Sequence, residues 1–243
     1  MAKLGAKSIG VLSMVSVAYA SVDERAKFIQ QTYTHLAGAI IAFIIVEFIF
    51  FQIGLARAIA DFIFSTRMAW FAILGGMSLL GWFARELLSQ NDDRETQYKA
   101  FGIYIIGKAI IFAPILYIAA NYTGDSNLIP TATILTLFLF AGLTTIAFTS
   151  RQDFSFLNSI LKVGGFVALG LIICSLLFGF SLGIWFSASM IIFASAAILR
   201  DTSKVIHRYQ THQYVAAAFS LFSSVMLLFY YVVRILIRTQ SRR

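Results

Sequence analysis

Four ionisable side chains stand in or beside long apolar stretches of this chain. Asp201 directly follows one stretch, Lys108 and Glu47 lie within two others, and Arg85 lies near the end of a fourth. A charged group in apolar surroundings is costly unless it has a partner or a functional role. Such groups line ion pathways or act as pH sensors in membrane proteins. These four residues are therefore the candidates for a pathway or a pH-sensing site.

The depth of each residue along its helix predicts which of them meet. At about 1.5 Å per residue, Asp201, Arg85 and Lys108 lie toward one side, whereas Glu47 differs in depth from Lys108 by roughly 10 Å. We therefore predict a polar cluster of Asp201 with Arg85 or Lys108. In the alternative, Lys108 reaches the interface along its aliphatic stem and Asp201 is simply solvated. Glu47 is either a helix-paired or surface-reaching glutamate, or an acidic lining at the opposite end of a pathway.

The composition places the chain in a membrane. Of its 243 residues, 59% are hydrophobic and only 12% are charged, and the mean hydropathy is +0.83. A soluble domain usually carries about 25% charged residues. The net charge of +8 sits in short segments beside apolar stretches, which is typical of topology signals and not of a nucleic-acid interface. The sequence therefore predicts a polytopic membrane protein whose first partner is the lipid bilayer.

Seven apolar stretches are long enough to cross a membrane, since a spanning helix needs about 20 residues. They are continuous rather than alternating, which favours helices over a barrel. We predict an all-α membrane protein with an N-terminal tail at 1–30 and a single domain at 31–243. The predicted spans are 31–53, 69–88, 101–122, 130–149, 158–179, 182–200 and 214–237.

The distribution of lysine and arginine predicts the orientation. With the N-terminus in the cytoplasm, twelve of these residues fall on the cytoplasmic side and six on the other, four of the six near the C-terminus. Residues 1–20 resemble a signal peptide, but their apolar core is short and is interrupted by serines. We therefore expect an uncleaved cytoplasmic tail on a multi-pass protein of the plasma membrane.

Three local signals predict how the helices begin and pack. Asp153 precedes the fifth span and is expected to be a loop or N-cap acid that accepts backbone N–H bonds. Gly164, Gly165 and Gly170 are expected to let that span approach a neighbouring helix closely. Pro114 lies inside the third span and predicts a kink, which serves either packing or a hinge beside a pathway.

The motifs of common enzymes are absent or lack their structural context. There is no His-Glu-x-x-His. The Gly-x-Ser-x-Gly at 179–183 joins two predicted helices and so forms no strand-to-helix elbow. The Gly-x-x-x-x-Gly-Lys at 102–108 lies inside a predicted helix and is followed by Ala109, so it forms no phosphate-cradling loop. An intramembrane protease would need a deep Ser–His pair or two aspartates at one depth, and neither is present. The single cysteine, Cys174, supports neither an internal disulfide nor a thiolate metal site. We therefore expect no catalytic residues, no bound cofactor and no resident metal ion.

Three segments carry a resemblance to a known family. They are Phe-Ile-Gln-Gln-Thr-Tyr at 28–33, Phe-Thr-Ser-Arg-Gln-Asp-Phe-Ser-Phe-Leu at 148–157, and the segment 191–206, which contains Ile-Leu-Arg-Asp-Thr-Ser-Lys. In combination these segments resemble the Bax inhibitor-1 family, and the resemblance extends roughly over 23–237.

The resemblance implies a seven-helix fold in which the last helix is central and is wrapped by the others. It also implies a pH-sensing pair of aspartates on the last two helices that is linked to calcium leak. One aspartate matches Asp201, and the position of the other matches Ser224. Two carboxylates in one site share a proton and so form a pH switch, which a serine cannot do. The chain therefore departs from the family at the pair on which the pH-gated leak depends.

Because it lacks this second acid, the chain resembles the YccA-like branch of the family. The bacterial member of that branch interacts with FtsH, a membrane-bound ATP-dependent protease, and modulates its proteolysis. This resemblance implies a non-enzymatic modulator of membrane proteolysis or stress in the bacterial inner membrane. Residues 1–30 would then be the segment that the protease binds. The alternative is a pH-sensitive calcium or cation leak channel gated near Asp201. Ca²⁺ would then be the transported ion, and it prefers about six or more oxygen ligands. Backbone carbonyls, Ser224, Thr202 and water would have to supply most of them.

Overall fold

The chain folds into helices alone. The structure is a computed structural model that describes residues 16–65, 67–90, 93–150 and 152–240. Two short 3₁₀ helices, Val17–Tyr19 and Phe154–Phe156, and eight α-helices are present in these ranges, and no strand is. The α-helices are α1 (Val22–Gln52), α2 (Leu55–Ser65), α3 (Arg67–Gln90), α4 (Arg94–Asn121), α5 (Leu128–Thr149), α6 (Leu157–Phe178), α7 (Ile184–His207) and α8 (Tyr214–Gln240). The predicted all-α class is confirmed.

Each predicted span overlaps a helix, but the number of spanning helices differs from the prediction. α1 begins at Val22, within the range predicted as the tail, and α2 has only 11 residues, too few to be recognised as a span. Six segments of the described chain are long and apolar enough to cross a membrane: α1, α4, α5, Phe154–Phe178, α7 and α8. α3 coincides with the second predicted span but is not among these six. The predicted count of seven is therefore not matched, although the membrane class is.

The last helix is central, as predicted. α8 packs against α7, α1, α5 and α4, and makes a smaller contact with α3. Its buried residues extend from Val215 to Val233 and occupy several faces of the helix. A helix that is apolar all round has to be surrounded by other helices or by lipid. α8 therefore forms the axis on which the other helices are arranged.

α6 lies at the periphery of the bundle. Only Leu161 and Ala168 are buried on it, whereas large apolar side chains such as Val163, Phe166 and Phe178 are exposed. Contiguous exposed apolar surface of this size is unfavourable in water and favourable against lipid. The exposed face of α6 is therefore a lipid-facing surface.

Local signals fix where the helices begin. Ser21 and Glu24 form a capping box at α1: each side chain accepts a hydrogen bond from the backbone N–H of the other residue. Asp93 caps α4 by accepting from two backbone N–H groups of its first turn. Asp153 accepts from the Ser155 backbone N–H and so caps the 3₁₀ helix Phe154–Phe156. The predicted acceptance of a backbone N–H is confirmed, although α6 itself begins after Phe156 without a side-chain cap.

Hydrogen bonds between connections define two ends of the bundle. At the Asp201 end, where α1, α4 and α8 begin, Arg94 Nη2 donates to the carbonyl of His212 at 2.7 Å. At the C-terminal end, where α8 finishes, Gln240 Nε2 donates to Asp125 Oδ2 at 3.0 Å. Each end is thus held by contacts between connections that are distant in sequence.

A side chain at Gly164 should disturb the packing of α6 on α7. A Cβ atom placed there lies 3.1 Å from the ring of Phe193. Nothing lies within 4 Å of one at Gly170 on the same helix, so the close approach predicted at Gly170 was wrong. We expect Gly164→Leu to have a lower free energy of unfolding than Gly170→Leu by about 1–3 kcal/mol, the usual cost of overpacking. Both variants exchange glycine for leucine in α6, so helix propensity cancels in the comparison. Equal unfolding free energies in mixed detergent micelles would contradict this packing.

Candidate functional site

Asp201 lies near the end of α7 and has 1% of its surface exposed. Its Oδ1 atom accepts a hydrogen bond from Arg200 Nε at 2.8 Å and lies 2.6 Å from Arg200 Nη2. Its Oδ2 atom accepts a hydrogen bond from Ser224 Oγ at 2.6 Å. We call Arg200, Asp201 and Ser224 the Asp201 latch, because together they join α7 to α8.

The latch neutralises a carboxylate that would otherwise be costly in a membrane helix. Charge-assisted hydrogen bonds are about twice as strong as neutral ones. Leaving one member of a buried ion pair without its partner costs about 3–5 kcal/mol. Arg200 remains partly exposed, so its guanidinium reaches the buried carboxylate from the surface of the bundle. The latch is therefore a closed and charge-balanced link between two helices.

Arg200 makes the ion pair with Asp201, and neither Arg85 nor Lys108 forms one with it. The predicted polar cluster of Asp201 with Arg85 or Lys108 stays a prediction. The alternative of a simply solvated carboxylate is excluded by the burial of Asp201. Arg85 acts on this region at longer range, through its positive charge.

Lys108 lies deeper in the bundle than the latch. Ser223, the neighbour of the latch serine, donates a hydrogen bond to the Tyr104 hydroxyl at 3.0 Å. Lys108 is one turn farther along α4, about 6 Å from that level. Its ammonium group lies over the Tyr104 ring, 5.3 Å from the centroid. Lys108 therefore points back toward the Asp201 end but stops short of the latch.

Glu47 lies in the C-terminal half of α1 and is far from the latch. It is 6% exposed, and neither of its carboxylate oxygens accepts a hydrogen bond from any described residue. It follows Phe43 by one turn on the buried face of α1, and Phe43 packs on Phe112 with ring centroids 5.1 Å apart. The structure therefore gives Glu47 neither the surface position nor the helix partner that was considered. A role in a pathway stays a prediction.

A second polar group joins the α5–α6 connection to α7. Asp153 accepts hydrogen bonds from the hydroxyls of Ser155 and Ser203, the latter at 3.3 Å, and from Arg208 Nη2 at 3.1 Å. The Ser203 hydroxyl also accepts from the Phe154 backbone N–H at 3.0 Å. The Ser155 hydroxyl and, next, Arg208 lower the pKa of Asp153 to about 2, against the opposing effect of burial. The connection is thus fixed beside the latch.

The chain that precedes α1 is anchored on the turn after α7. The Val17 N–H donates to the Tyr209 carbonyl at 2.9 Å, and Ser16 pairs with Gln210 as an antiparallel bridge. The Ser16 hydroxyl donates to the His207 carbonyl at 3.4 Å. The Val17 side chain is fully buried in the main core. We call Ser16 and Val17 the N-terminal anchor.

Tyr209 connects the anchor to the latch electrostatically. Burial of its ring and, next, the negative charge of Asp201 raise the pKa of Tyr209 to about 12. The Ser220 hydroxyl and the positive charges of Arg85 and Arg200 act in the opposite direction. Tyr209 therefore stays a neutral phenol at neutral pH, and the charged groups around it belong to the latch region.

Several of these interactions were not predicted from the sequence. The adjacent pair of Arg200 and Asp201 was a visible signal for the ion pair, whereas the prediction named cations more distant in sequence. Arg208 stands just after the signature segment and could have been considered for Asp153. Val17 gave no signal, because one buried apolar residue has no periodicity.

A cavity of about 650 Å³ lies among α4, α6, α7 and α8. Lys108 and Pro114 of α4 line it, and Arg234 and Arg238 of α8 line its part nearest the C-terminal end. The rest of the lining is mainly apolar, and no carboxylate of the described residues contributes to it. Three cationic side chains therefore line an otherwise mainly apolar cavity.

The described residues offer little to a metal ion. They include no group of three or more His, Cys, Asp or Glu side chains that could hold one. At Asp201, guanidinium nitrogens and a hydroxyl already occupy the carboxylate oxygens. In this closed arrangement the latch can hold two helices together, and it offers no open oxygen cage.

Comparison with known proteins assigns the family. The sequence matches the family model described as inhibitor of apoptosis-promoting Bax1 over residues 25–242. The chain belongs to the Bax inhibitor-1 family. The match includes all of the Asp201 latch and begins after the N-terminal anchor, so the latch lies within the family region and the anchor lies outside it.

Bacterial relatives share part of this sequence. An uncharacterized protein of Pseudomonas aeruginosa, PA2604, is 37% identical over 117 residues, which is 48% of this chain and 52% of that protein. Two uncharacterized proteins of Neisseria meningitidis, NMA0420 and NMB2020, are 24% identical over 136 residues, or 56% of this chain and 60% of each. The matches thus span little more than half the length of these relatives, and their names carry no activity.

The latch residues should be energetically coupled. We expect Arg200→Gln and Asp201→Asn each to lower the free energy of unfolding, and the double variant to lose less than the sum. The coupling energy should fall within about 0.5–3 kcal/mol, as for residues in direct contact. It can be measured by reversible unfolding in mixed micelles.

The ion pair of Arg57 and Asp61 is the matched control for that cycle. Its side chains are 72% and 69% exposed and 3.7 Å apart, so its coupling should be close to zero. A coupling at Arg200 and Asp201 no larger than at this exposed pair would contradict the latch.

Asp153 should make the stability depend on acid pH. Its folded pKa of about 2 lies below the ordinary value of 3.8, so its contribution is present above about pH 4 and is lost as the pH falls toward 2. We expect Asp153→Asn to be less stable than the wild type at about pH 6 and to approach it at about pH 3. Thermal unfolding in detergent at both values measures this. A difference that does not change with pH would contradict the assignment.

Proposed function

We propose that this Bax inhibitor-1 family protein is a non-enzymatic regulator in the bacterial inner membrane that acts on an ATP-dependent membrane protease of the FtsH type. The resemblance to the YccA-like branch suggests the partner. The observation that carries the proposal is the N-terminal anchor, which attaches the N-terminal segment to the Asp201 end. Residues 1–15 precede the anchor, so the segment that we propose the protease binds starts at this end of the bundle.

The distribution of charge supports a cytoplasmic position for the Asp201 end. Lysine and arginine accumulate on the cytoplasmic side of membrane proteins. The Asp201 end carries Arg25, Lys27, Arg94, Lys99, Lys162, Lys204 and Arg208 together with the latch arginine, and the C-terminal end carries Arg57, Arg234 and Arg238. This orientation exposes the anchored segment to the compartment in which ATP-dependent proteolysis takes place.

The electrostatics favour a regulator over a cation pathway. The Asp201 carboxylate is neutralised by Arg200, and the cavity beyond it is lined by Lys108, Arg234 and Arg238. Fixed positive charges repel a divalent cation in a medium of low dielectric constant. A calcium ion would also need about six or more oxygen ligands, which the closed latch does not offer.

Removal of residues 2–15 should abolish the association with the protease and leave the fold intact. The deletion stops short of Val17 and of the capping box at Ser21, so the thermal midpoint in detergent should match that of the full chain. Affinity purification after cross-linking in cells measures the association, and the half-life of a membrane substrate of the protease measures the effect.

A chain whose residues 2–15 are scrambled is the matched control, because it keeps the length and the charges of Lys3 and Lys7. If the scrambled chain associates with the protease and the deletion does not, the protease recognises the length and charge of this segment. If the full chain brings down no more protease than an unrelated membrane protein does, the proposal fails.

A cation leak gated at Asp201 is the second candidate, and the latch is the observation that favours it. Within the latch, a single hydrogen bond from Ser224 to Asp201 joins α7 to α8, while the ion pair of Arg200 with Asp201 lies within α7, so a local change could open this link. Our account expects calcium entry into liposomes with the wild-type protein to equal that of empty liposomes between about pH 6 and pH 8. Entry above that background that changes in Asp201→Asn would instead establish the leak.

A further inference from the structure

The space between α6 and the rest of the bundle is unusually large. α6 packs mainly against α7, and the cavity of about 650 Å³ separates it from α4 and α8. Protein interiors are as densely packed as organic crystals, and small-molecule sites measure about 300–1,000 Å³. The size of this space is therefore that of a binding site and not of a packing defect.

The lining selects an apolar occupant. Most of the wall consists of aliphatic and aromatic side chains: Ile111, Phe112, Ile115, Ile118, Leu169, Ile172, Leu176, Met190 and Phe193. The Ser175 hydroxyl donates to the Phe180 carbonyl at 2.6 Å, and the Lys108 ammonium is turned toward the Tyr104 ring. A buried water needs about two to four polar partners, and the aliphatic and aromatic part of the wall offers few. An alkyl chain fits it better.

The part of the cavity nearest the C-terminal end of the bundle is suited to bind an anion. Arg234 and Arg238 stand one turn apart on α8 and both line the cavity. The Arg234 guanidinium lies 5.8 Å from the ring centroid of Phe186 and 5.9 Å from that of Tyr231, and it forms no ion pair with a described carboxylate. Guanidinium groups bind phosphate oxygens in a planar, bidentate geometry. A phosphate group therefore complements this part of the cavity.

The length of the cavity matches one leaflet of a bilayer. Phe112 stacks on Phe229 with centroids 5.6 Å apart, which fixes the register of α4 against α8. Measured from the level of this stack, Lys108 on α4 and Arg238 on α8 lie about 20 Å apart along the direction of the helix axes. Half of the hydrocarbon core is about 15 Å thick. The apolar part of the cavity therefore runs from the bilayer centre to the level of the head groups.

We propose that this cavity binds one anionic phospholipid of the surrounding bilayer. One acyl chain fills the space beside the Lys108 stem, and the phosphate is held by Arg234 and Arg238. α6 lies between the cavity and the lipid, because Phe166 on its outer face is exposed while its inner face lines the cavity. The proposal requires only the membrane-embedded fold, and not the protease partner.

Native mass spectrometry of the full chain tests the site. The protein is purified from vesicles that contain equal amounts of phosphatidylglycerol and phosphatidylcholine with the same acyl chains, and is then stripped with detergent. We expect one phosphatidylglycerol to remain per protein. Equal retention of both lipids would overturn the role of the arginines, and retention of a free fatty acid or of no lipid would overturn the phospholipid itself.

Variants with matched controls locate the lipid. Arg234→Gln and Arg238→Gln should each lower phosphatidylglycerol retention about fivefold, whereas Arg57→Gln at the same end should not. Ile172→Trp fills the cavity and should remove the lipid, whereas Val167→Trp on the exposed face of α6 should leave it bound. Thermal midpoints confirm that each variant is folded. Retention that is unchanged in Ile172→Trp and in both cavity arginine variants would place the lipid elsewhere and overturn the proposal.

Discussion

The buried carboxylate of Asp201 sets the main constraint on this fold, because a charge in a membrane helix has to be neutralised by the protein itself. Arg200 supplies the opposite charge and Ser224 supplies a hydrogen bond at 2.6 Å. Ser224 belongs to α8, the helix around which the others pack. The need to satisfy one carboxylate therefore fixes the end of α7 against the centre of the molecule.

The contacts around the latch make the Asp201 end one connected unit. Asp153 ties the α5–α6 connection to Arg208 just after α7, and Val17 ties the N-terminal segment to the carbonyl of Tyr209 in the following turn. A change at Ser224 or Asp201 would therefore be transmitted over a short distance to the N-terminal segment. The cavity lies on the other side of the latch, behind α6, so the proposed lipid site and the segment proposed for a protein partner lie in different regions of the bundle.

The sequence predicted what depends on local pattern and failed where the answer depends on how helices are rotated. Long apolar stretches located the spans, and Asp153 was recognised as a cap, but the 11-residue α2 was too short to be identified. The resemblance put Ser224 opposite Asp201, where the two side chains indeed meet. Depth along a helix suggested Arg85 and Lys108 as partners, yet depth does not say which way a side chain points, and the long side chain of Arg200 was closer. The cavity arises from the placement of four helices, for which the sequence carries no local signal.

Hydrogen–deuterium exchange is the most direct test of whether the latch controls the N-terminal segment. The Val17 amide donates to Tyr209 and should be protected in the wild type. Our account predicts faster exchange at Val17 and in 205–212 for Ser224→Ala, which breaks the bond to Asp201. Ser223→Ala, whose hydroxyl bonds Tyr104 instead, should leave exchange there unchanged. Identical exchange at Val17 in the wild type and in Ser224→Ala would contradict the account.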